Sequence, residues 1–377
     1  MNGINDKINE LKAISQNPGQ SVAQAIKDTG KKAVGCFPIY TPDEVVYALG
    51  LLPVGMWGGP SKGNKSSKYL QTFCCSIMKA NTEQALGGDY DMLSAVIVTS
   101  FCDTLKCIIE DWKIAVPHLN IVPIVYPQNR KSNSGKTYFK AELKRVADEL
   151  AEITDTSYTD ESLAAAVDLY DEYRRTLQDF VKSVAEKPGL ITPLERHHVV
   201  KAGYFIDKKD YVPKVKALTE DIRAAEVPSD RQGLNPIVIS GIIGEPDGLL
   251  EVFDECGFTV VGDDLAQESR QFRTIAPNVG DGFDRMVERI AMQDGCAFLY
   301  DEEKRRGRMI VDLAKETGAV GVIFNQLKFC DPEEFDWPLV KKEFNAAELP
   351  YLYIETEQQM DSLEQVRTSI QTFGELL

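Results

Sequence analysis

No apolar run in the 377 residues approaches the roughly 18 that a membrane-spanning helix needs. The opening stretch, MNGINDKINELKAISQ, lacks the basic start and apolar centre of a secretion signal, so a cytoplasmic protein is expected. Positive charge is scarce: 42 Lys and Arg against 58 Asp and Glu leave a net charge of −16. Nucleic acids and anionic membranes are held by basic fields, so neither partner is expected. One local exception is the loop SKGNKSSK with Lys62, Lys65 and Lys68, read either as a solvated loop or as a contact for a partner or an anionic ligand. Only three histidines occur, His118, His197 and His198, with no HExxH or i,i+4 pairing, and they are read as surface or core residues. There is no P-loop and no GxSxG elbow, and SGIIG at Ser240–Gly244 is not a GxGxxG fingerprint. No CxxC occurs, which removes a thioredoxin motif, a zinc ribbon and a close ferredoxin-type run.

Eight cysteines are present: Cys36, Cys74, Cys75, Cys102, Cys107, Cys256, Cys296 and Cys330. In a large chain of cytosolic character these are packed thiols, metal ligands or catalytic groups rather than a disulfide framework. Taken singly, a buried small hydrophobe is the ordinary reading. Two of them recur in one setting. The stretch VIVTSFCDTLKCIIEDWK (Val96–Lys113) starts as a buried strand, reaches Cys102, and continues with Leu105, Ile108, Ile109 and Trp112 at helical spacing. Asp103 is placed to cap that helix. VIFNQLKFCDP (Val322–Pro332) repeats the strand followed by Phe-Cys-Asp.

At this length two α/β domains are the default. Residues 1–30 read as a helical lead-in, and 31–135 alternate strands and helices as an N-terminal α/β domain. Residues 136–234 read as a helical connection and packing layer, its longest helix ended by Gly189. Alternation resumes over 235–377 as a C-terminal α/β domain. The halves correspond: VIVTSFCD with VIFNQLKFCD, and VPIVYP with LPYLYIE. The expectation is two similar domains, each with a roughly four-stranded parallel sheet flanked by helices and joined by the helical segment. Ligands of open parallel sheets collect beyond the strands' carboxyl ends, where Cys36, Cys102 and Cys330 fall. If the domains face each other, these thiols converge in one cleft. Gly262–Arg273, GDDLAQESRQFR, reads as helix capping with a salt-bridged surface, or else as a wall of that cleft.

A thiolate at a helix N-terminus is stabilised by unpaired N–H groups and the helix dipole. Metal ligation requires that thiolate. Cys75, within the helix expected from about Phe73, could add a third thiol, and three soft ligands suit zinc or an iron–sulfur cluster.

Taken together, GCFPIYTPDEVVYALGLLPVGMWG, FCCSIMKA, SFCDTLKCIIEDWK, GDDLAQESRQFRT and KFCDPEEFDWP resemble the 2-hydroxyacyl-CoA dehydratase family. More narrowly, they resemble its smaller (β) subunit, the group of the 2-hydroxyglutaryl-CoA and 2-hydroxyisocaproyl-CoA enzymes. The resemblance runs in order from about Lys31 to the C-terminus. It implies a heterodimer in which each subunit holds a 4Fe-4S cluster through three cysteines, placed in the cleft between the domains. Carried over by position, the ligands are Cys75, Cys102 and Cys330. A Lys four residues after the first ligand, here Lys79, selects Cys75 over Cys74. Cys36 is a candidate fourth ligand, with a small exogenous sulfur species an equal contender.

The implied activity is that of an oxygen-sensitive hydro-lyase of anaerobic amino-acid fermentation, converting 2-hydroxyacyl-CoA to 2-enoyl-CoA. One low-potential electron turns the thioester carbonyl into a ketyl radical anion that expels the adjacent hydroxide and acidifies the β-proton. An ATP-dependent iron–sulfur activator injects the electron, and the substrate sits mainly on the larger (α) subunit. This chain would supply a relay cluster. Flavin accompanies some members, but no motif for it is found here. Two rival readings of the cysteines stand beside this one. The first is a zinc-binding or metal-free structural subunit of a heteromeric CoA-thioester enzyme, such as a benzoyl-CoA reductase-like complex. The second is a thiol redox enzyme using Cys102 with Cys107, or Cys74 with Cys75.

Overall fold

The computed structural model describes the whole chain apart from residues 1, 61–62, 245, 359 and 361. Eight strands form two four-stranded sheets. In the first, β1 (Ala33–Phe37), β2 (Leu52–Gly55), β3 (Leu93–Thr99) and β4 (Ile121–Ile124) lie in the order β2-β1-β3-β4. In the second, β5 (Asn235–Gly241), β6 (Phe258–Leu265), β7 (Gly321–Leu327) and β8 (Tyr351–Thr356) repeat that order as β6-β5-β7-β8. Every pairing is parallel. The expected duplication is therefore present, with β1 and β3 answered by β5 and β7.

Strands covered on both faces are apolar without alternation, and β1 is buried throughout for that reason. β7 is also fully buried although it carries Asn325 and Gln326. Asn325 Nδ2 donates to Ile242 O at 2.6 Å and to Thr356 Oγ1 at 2.8 Å, which satisfies it inside the sheet. Gly241, paired with Asn325, has φ 105°, and a Cβ there would stand 2.0 Å from the Asn325 carbonyl oxygen. Only glycine fits this close approach of β5 to β7.

Between the sheets the chain is helical: Asn133–Thr154, Asp160–Ala185, Pro193–Ala202 and Lys208–Ala224. The longest helix ends at Ala185 rather than running to Gly189, because Pro188 disfavours helical geometry in the residue before it. The N-terminal lead-in is two helices, Asn2–Gln16 and Pro18–Thr29. The first packs on Pro193–Ala202 and Lys208–Ala224, burying Ile4, Ile8 and Leu11 in the same cluster as Tyr211 and Leu218.

His198 is buried in this layer, its Nδ1 2.8 Å from Ser15 Oγ of the first helix. Burial lowers its pKa to about 4 against an opposing pull from Asp247, with His197, Lys201 and Lys12 adding to the fall. The ring is neutral in the fold and protonates more readily in the unfolded chain. Its contribution is complete above about pH 6.5 and is lost as pH falls toward 4. Thermal melts should show Tm dropping across that window, with His198→Gln flattening the drop. A wild-type Tm that stays constant from pH 6.5 to 4 would contradict this.

Candidate functional site

Cys75, Cys102 and Cys330 line one small cavity between the two sheets. Each occupies the residue just before a helix: Cys75 before Ser76–Gly87, Cys102 before Asp103–Ala115, and Cys330 before Asp331–Ala346. Two expectations are corrected by this. Asp103 does not cap its helix but opens it, and Cys102 holds the cap position without a side-chain capping bond. Cys75 is not inside its helix, which begins one residue later. Both changes bring the sulfurs to the point where three helix N-termini meet, each with N–H groups lacking intrahelical partners.

Those N–H groups do not leave the free thiols ionised. First-turn amides of Thr104 and Leu105 lower the Cys102 pKa, but burial dominates and pushes it up to about 12. Burial raises Cys330 as well, with Glu333 and the other two thiols adding to the effect. A hydrogen bond with Cys74, followed by burial, raises Cys75. The amides thus act in the expected direction, but in the free thiols desolvation outweighs them, and a bound cation is what would displace the protons.

The cavity's surroundings are strained and braced. Ile39 and Phe329, both in its wall, have φ of 30° and 64°, and Tyr40 beside Ile39 has φ 60°. Non-glycine residues adopt such angles only where neighbours impose them. Thr99 Oγ1 donates to Pro38 O at 3.1 Å, and the Tyr126 hydroxyl donates to Tyr40 O. Lys79 and Lys328 place their ammonium groups 5.7 and 5.3 Å from the Phe329 ring centre. Lys79 also donates to Thr72 O at 2.8 Å, holding the turn that leads into Cys75.

Below the Cys330 helix lies a buried lattice of ions. Arg270 Nη1 donates to Glu333 Oε1 at 2.6 Å, while its Nη2 and Nε reach the two oxygens of Asp264 at 2.9 and 3.1 Å. Arg306 reaches Asp264 at 2.9 Å, Glu333 at 2.7 Å and Asp336 at 2.9 Å. Arg273 adds a 2.9 Å bond to Asp264. The reading of Gly262–Arg273 as a salt-bridged surface is therefore overturned. β6 runs through Asp263 and Asp264 to Leu265, and Arg270 has no exposed surface.

The remaining cysteines lie elsewhere. Cys36 ends up beside Asp43 and Lys208, outside the cavity wall, and burial followed by Asp43 pushes its thiol up. Cys74 is buried but absent from the wall, Cys107 is exposed, and Cys296 lies 3.9 Å from Arg270 Nη1. His118 is a surface residue bonded to Asp91 at 2.9 Å. Of the lysine loop, Lys62 lies outside the described residues, while Lys65 precedes and Lys68 closes a short 3₁₀ turn. Among the described residues no group of three or more His, Cys, Asp or Glu is arranged to hold a metal ion. No described helix is long and apolar enough to cross a membrane.

Three thiols around an apolar cavity are a soft donor set of the kind that would suit zinc or an iron–sulfur group. The chain is 43% identical over 369 residues to the (R)-phenyllactyl-CoA dehydratase beta subunit of Clostridium sporogenes, covering 98% of both chains. It is 37% identical over 380 residues to the lactoyl-CoA dehydratase subunit beta of Anaerotignum propionicum, covering all of both. It is 32% identical over 380 residues to the (R)-2-hydroxyglutaryl-CoA dehydratase subunit beta of Acidaminococcus fermentans, covering 99% of this chain and 100% of that one. With residues 38–377 matching the family as a whole, the chain belongs to the 2-hydroxyglutaryl-CoA dehydratase, D-component family.

Proposed function

We propose that this chain is the β subunit of a heteromeric 2-hydroxyacyl-CoA dehydratase. In this reading it is a cytoplasmic protein holding a 4Fe-4S cluster through Cys75, Cys102 and Cys330. The observation that carries the reading is the meeting of three thiols, from three helix N-termini, on one apolar cavity. When bound, such a cluster supplies one-electron transfer at low potential. The protein's own part is to keep it dry and fixed. Ile39, Ile77, Leu105 and Leu327 exclude water, which governs potential as well as access. Three helix N-termini turn partial positive charge toward an anionic group. The lattice around Arg270 anchors Glu333, one turn into the Cys330 helix, so that the Cys330 backbone cannot drift.

The acyl substrate would be held mainly by the larger subunit, and an ATP-dependent activator would supply the electron. The three relatives are named for phenyllactyl, lactoyl and 2-hydroxyglutaryl thioesters, so 2-hydroxyglutaryl-CoA is one candidate among several for the substrate. Co-expression with the larger subunit and purification without oxygen should give brown protein with about four iron for this chain and a cluster signal in electron paramagnetic resonance. Colourless, iron-free protein that is fully active with its partners would overturn the proposal, and zinc in place of iron would favour a structural subunit instead.

A further inference from the structure

Cys75 makes no side-chain capping bond, so its own side chain does not fix the start of the helix Ser76–Gly87. A hydrogen bond from a distant part of the chain does. Gln358, just beyond β8, donates its backbone N–H to Ser76 Oγ at 2.7 Å. Ser76 is the first residue of that helix and the neighbour of Cys75. The side-chain amide of Gln358 reaches two further loops at strand carboxyl ends. Its Nε2 donates to Trp57 O, after β2, at 3.0 Å and to Gly244 O, after β5, at 2.8 Å. One residue thus ties strand ends of both sheets to the helix start behind a thiol.

The surroundings are shaped for this side chain. Gln358 and Ser76 are both buried. A Cβ at Gly58 would stand 2.7 Å from the amide Oε1 and 2.8 Å from Nε2, and one at Gly244 would stand 2.6 Å from Gln358 Cγ. The two glycines leave the slot that the amide fills. Oε1 has no hydrogen-bond partner among the described residues, so the amide serves here as a double donor. Turned over, it would set its oxygen against two carbonyl oxygens. Trp57 also stands in the wall of the thiol cavity, as do Ile77 and Met78 of the helix that Ser76 opens. A shift of Ser76 therefore moves Cys75 together with the wall around it.

We infer that Gln358 is a positioning residue for Cys75, holding that thiol in register with Cys102 and Cys330, which follow β3 and β7. The inference deepens the reading of Cys75 as a cluster ligand and rests on it. The test uses the full chain in complex with its larger subunit, prepared without oxygen. Gln358→Met keeps an unbranched side chain of similar length and removes both side-chain donors. Ser76→Ala removes the third bond, and Ser76→Thr keeps it. At equal iron per chain, the electron paramagnetic resonance spectra of Gln358→Met and Ser76→Ala should be displaced from wild type, and that of Ser76→Thr should not. Iron should pass to a chelator about tenfold faster from Gln358→Met, the scale of two lost neutral hydrogen bonds. After metal removal, iodoacetamide labelling read by mass spectrometry should find Cys75 about tenfold faster in that variant, with Cys102 and Cys330 changed by less than about twofold. Three thiols that speed up together would mean general loosening and would overturn the inference. Spectra at equal iron, or Cys75 labelling rates, that match wild type would overturn it as well. If Gln358→Met does not fold, the Ser76 pair decides alone. A wild type without iron would sink the cluster reading, and the labelling rates would still decide whether Gln358 seats Cys75.

Discussion

Cys330→Ala is expected to strip the iron from this chain and abolish turnover with its partners while the fold stands. The thiol is one of three proposed ligands, and a cluster held by two thiolates in a cavity is labile. Iron should fall from about four per chain to below about one. The fold should survive because the cysteine's structural work is done by its backbone and its neighbours. Gln326 Nε2 donates to the Cys330 carbonyl at 3.3 Å, and Glu333 keeps its bonds to Arg270 and Arg306. Losing one small buried group costs on the order of 1 kcal/mol. Tm should therefore move by only a few degrees, by circular dichroism of anaerobic protein. Cys74→Ala and Cys107→Ala should keep their iron. Cys36→Ala should keep it too, since that thiol lies beside Asp43 and Lys208 rather than in the cavity wall. Iron loss in Cys36→Ala would restore it as a ligand, and unchanged iron in Cys330→Ala would remove Cys330 from the set.

The duplicated sheet was legible because each half writes the same local text: an apolar strand, a short turn, Cys, Asp, then a helix. The convergence of Cys102 and Cys330 followed from topology, since both lie past the carboxyl end of the third strand of their sheet. Their exact seat was not legible. Asp is a good capping residue and Cys an unremarked one, so propensity places the cap one residue late; only the backbone angles reveal Cys102 as the cap. The Asp263–Asp264 pair was misread for a related reason. Acidic residues after FTVV look like the end of a strand, and nothing local says that Arg196 and Arg306 arrive from other segments to join Arg270 in neutralising them inside the fold.

Arg270→Met is expected to cost about 3–5 kcal/mol of stability, the range for removing one partner from a buried ionic group. The lattice sets three guanidinium groups, Arg270, Arg273 and Arg306, against three carboxylates, Asp264, Glu333 and Asp336. Charge is balanced, and the loss of one arginine leaves a carboxylate in excess where water cannot reach it. Although burial opposes ionisation, Arg270 and Arg306 hold the Asp264 and Glu333 carboxyls below their ordinary range. The wild-type lattice should thus remain ionised through mild acid, and its contribution should be lost only as pH falls below the ordinary carboxylate range. Adding Glu333→Gln to Arg270→Met removes the orphaned charge, so the double variant should be less unstable than the sum of the singles, measured by urea unfolding. The same substitutions should loosen the start of the Cys330 helix, and iron should be released from Arg270→Met faster than from wild type on exposure to a chelator. A loss of under about 1 kcal/mol with additive singles would mean that the lattice is screened or rearranged, and that Cys330 is positioned by the sheet alone.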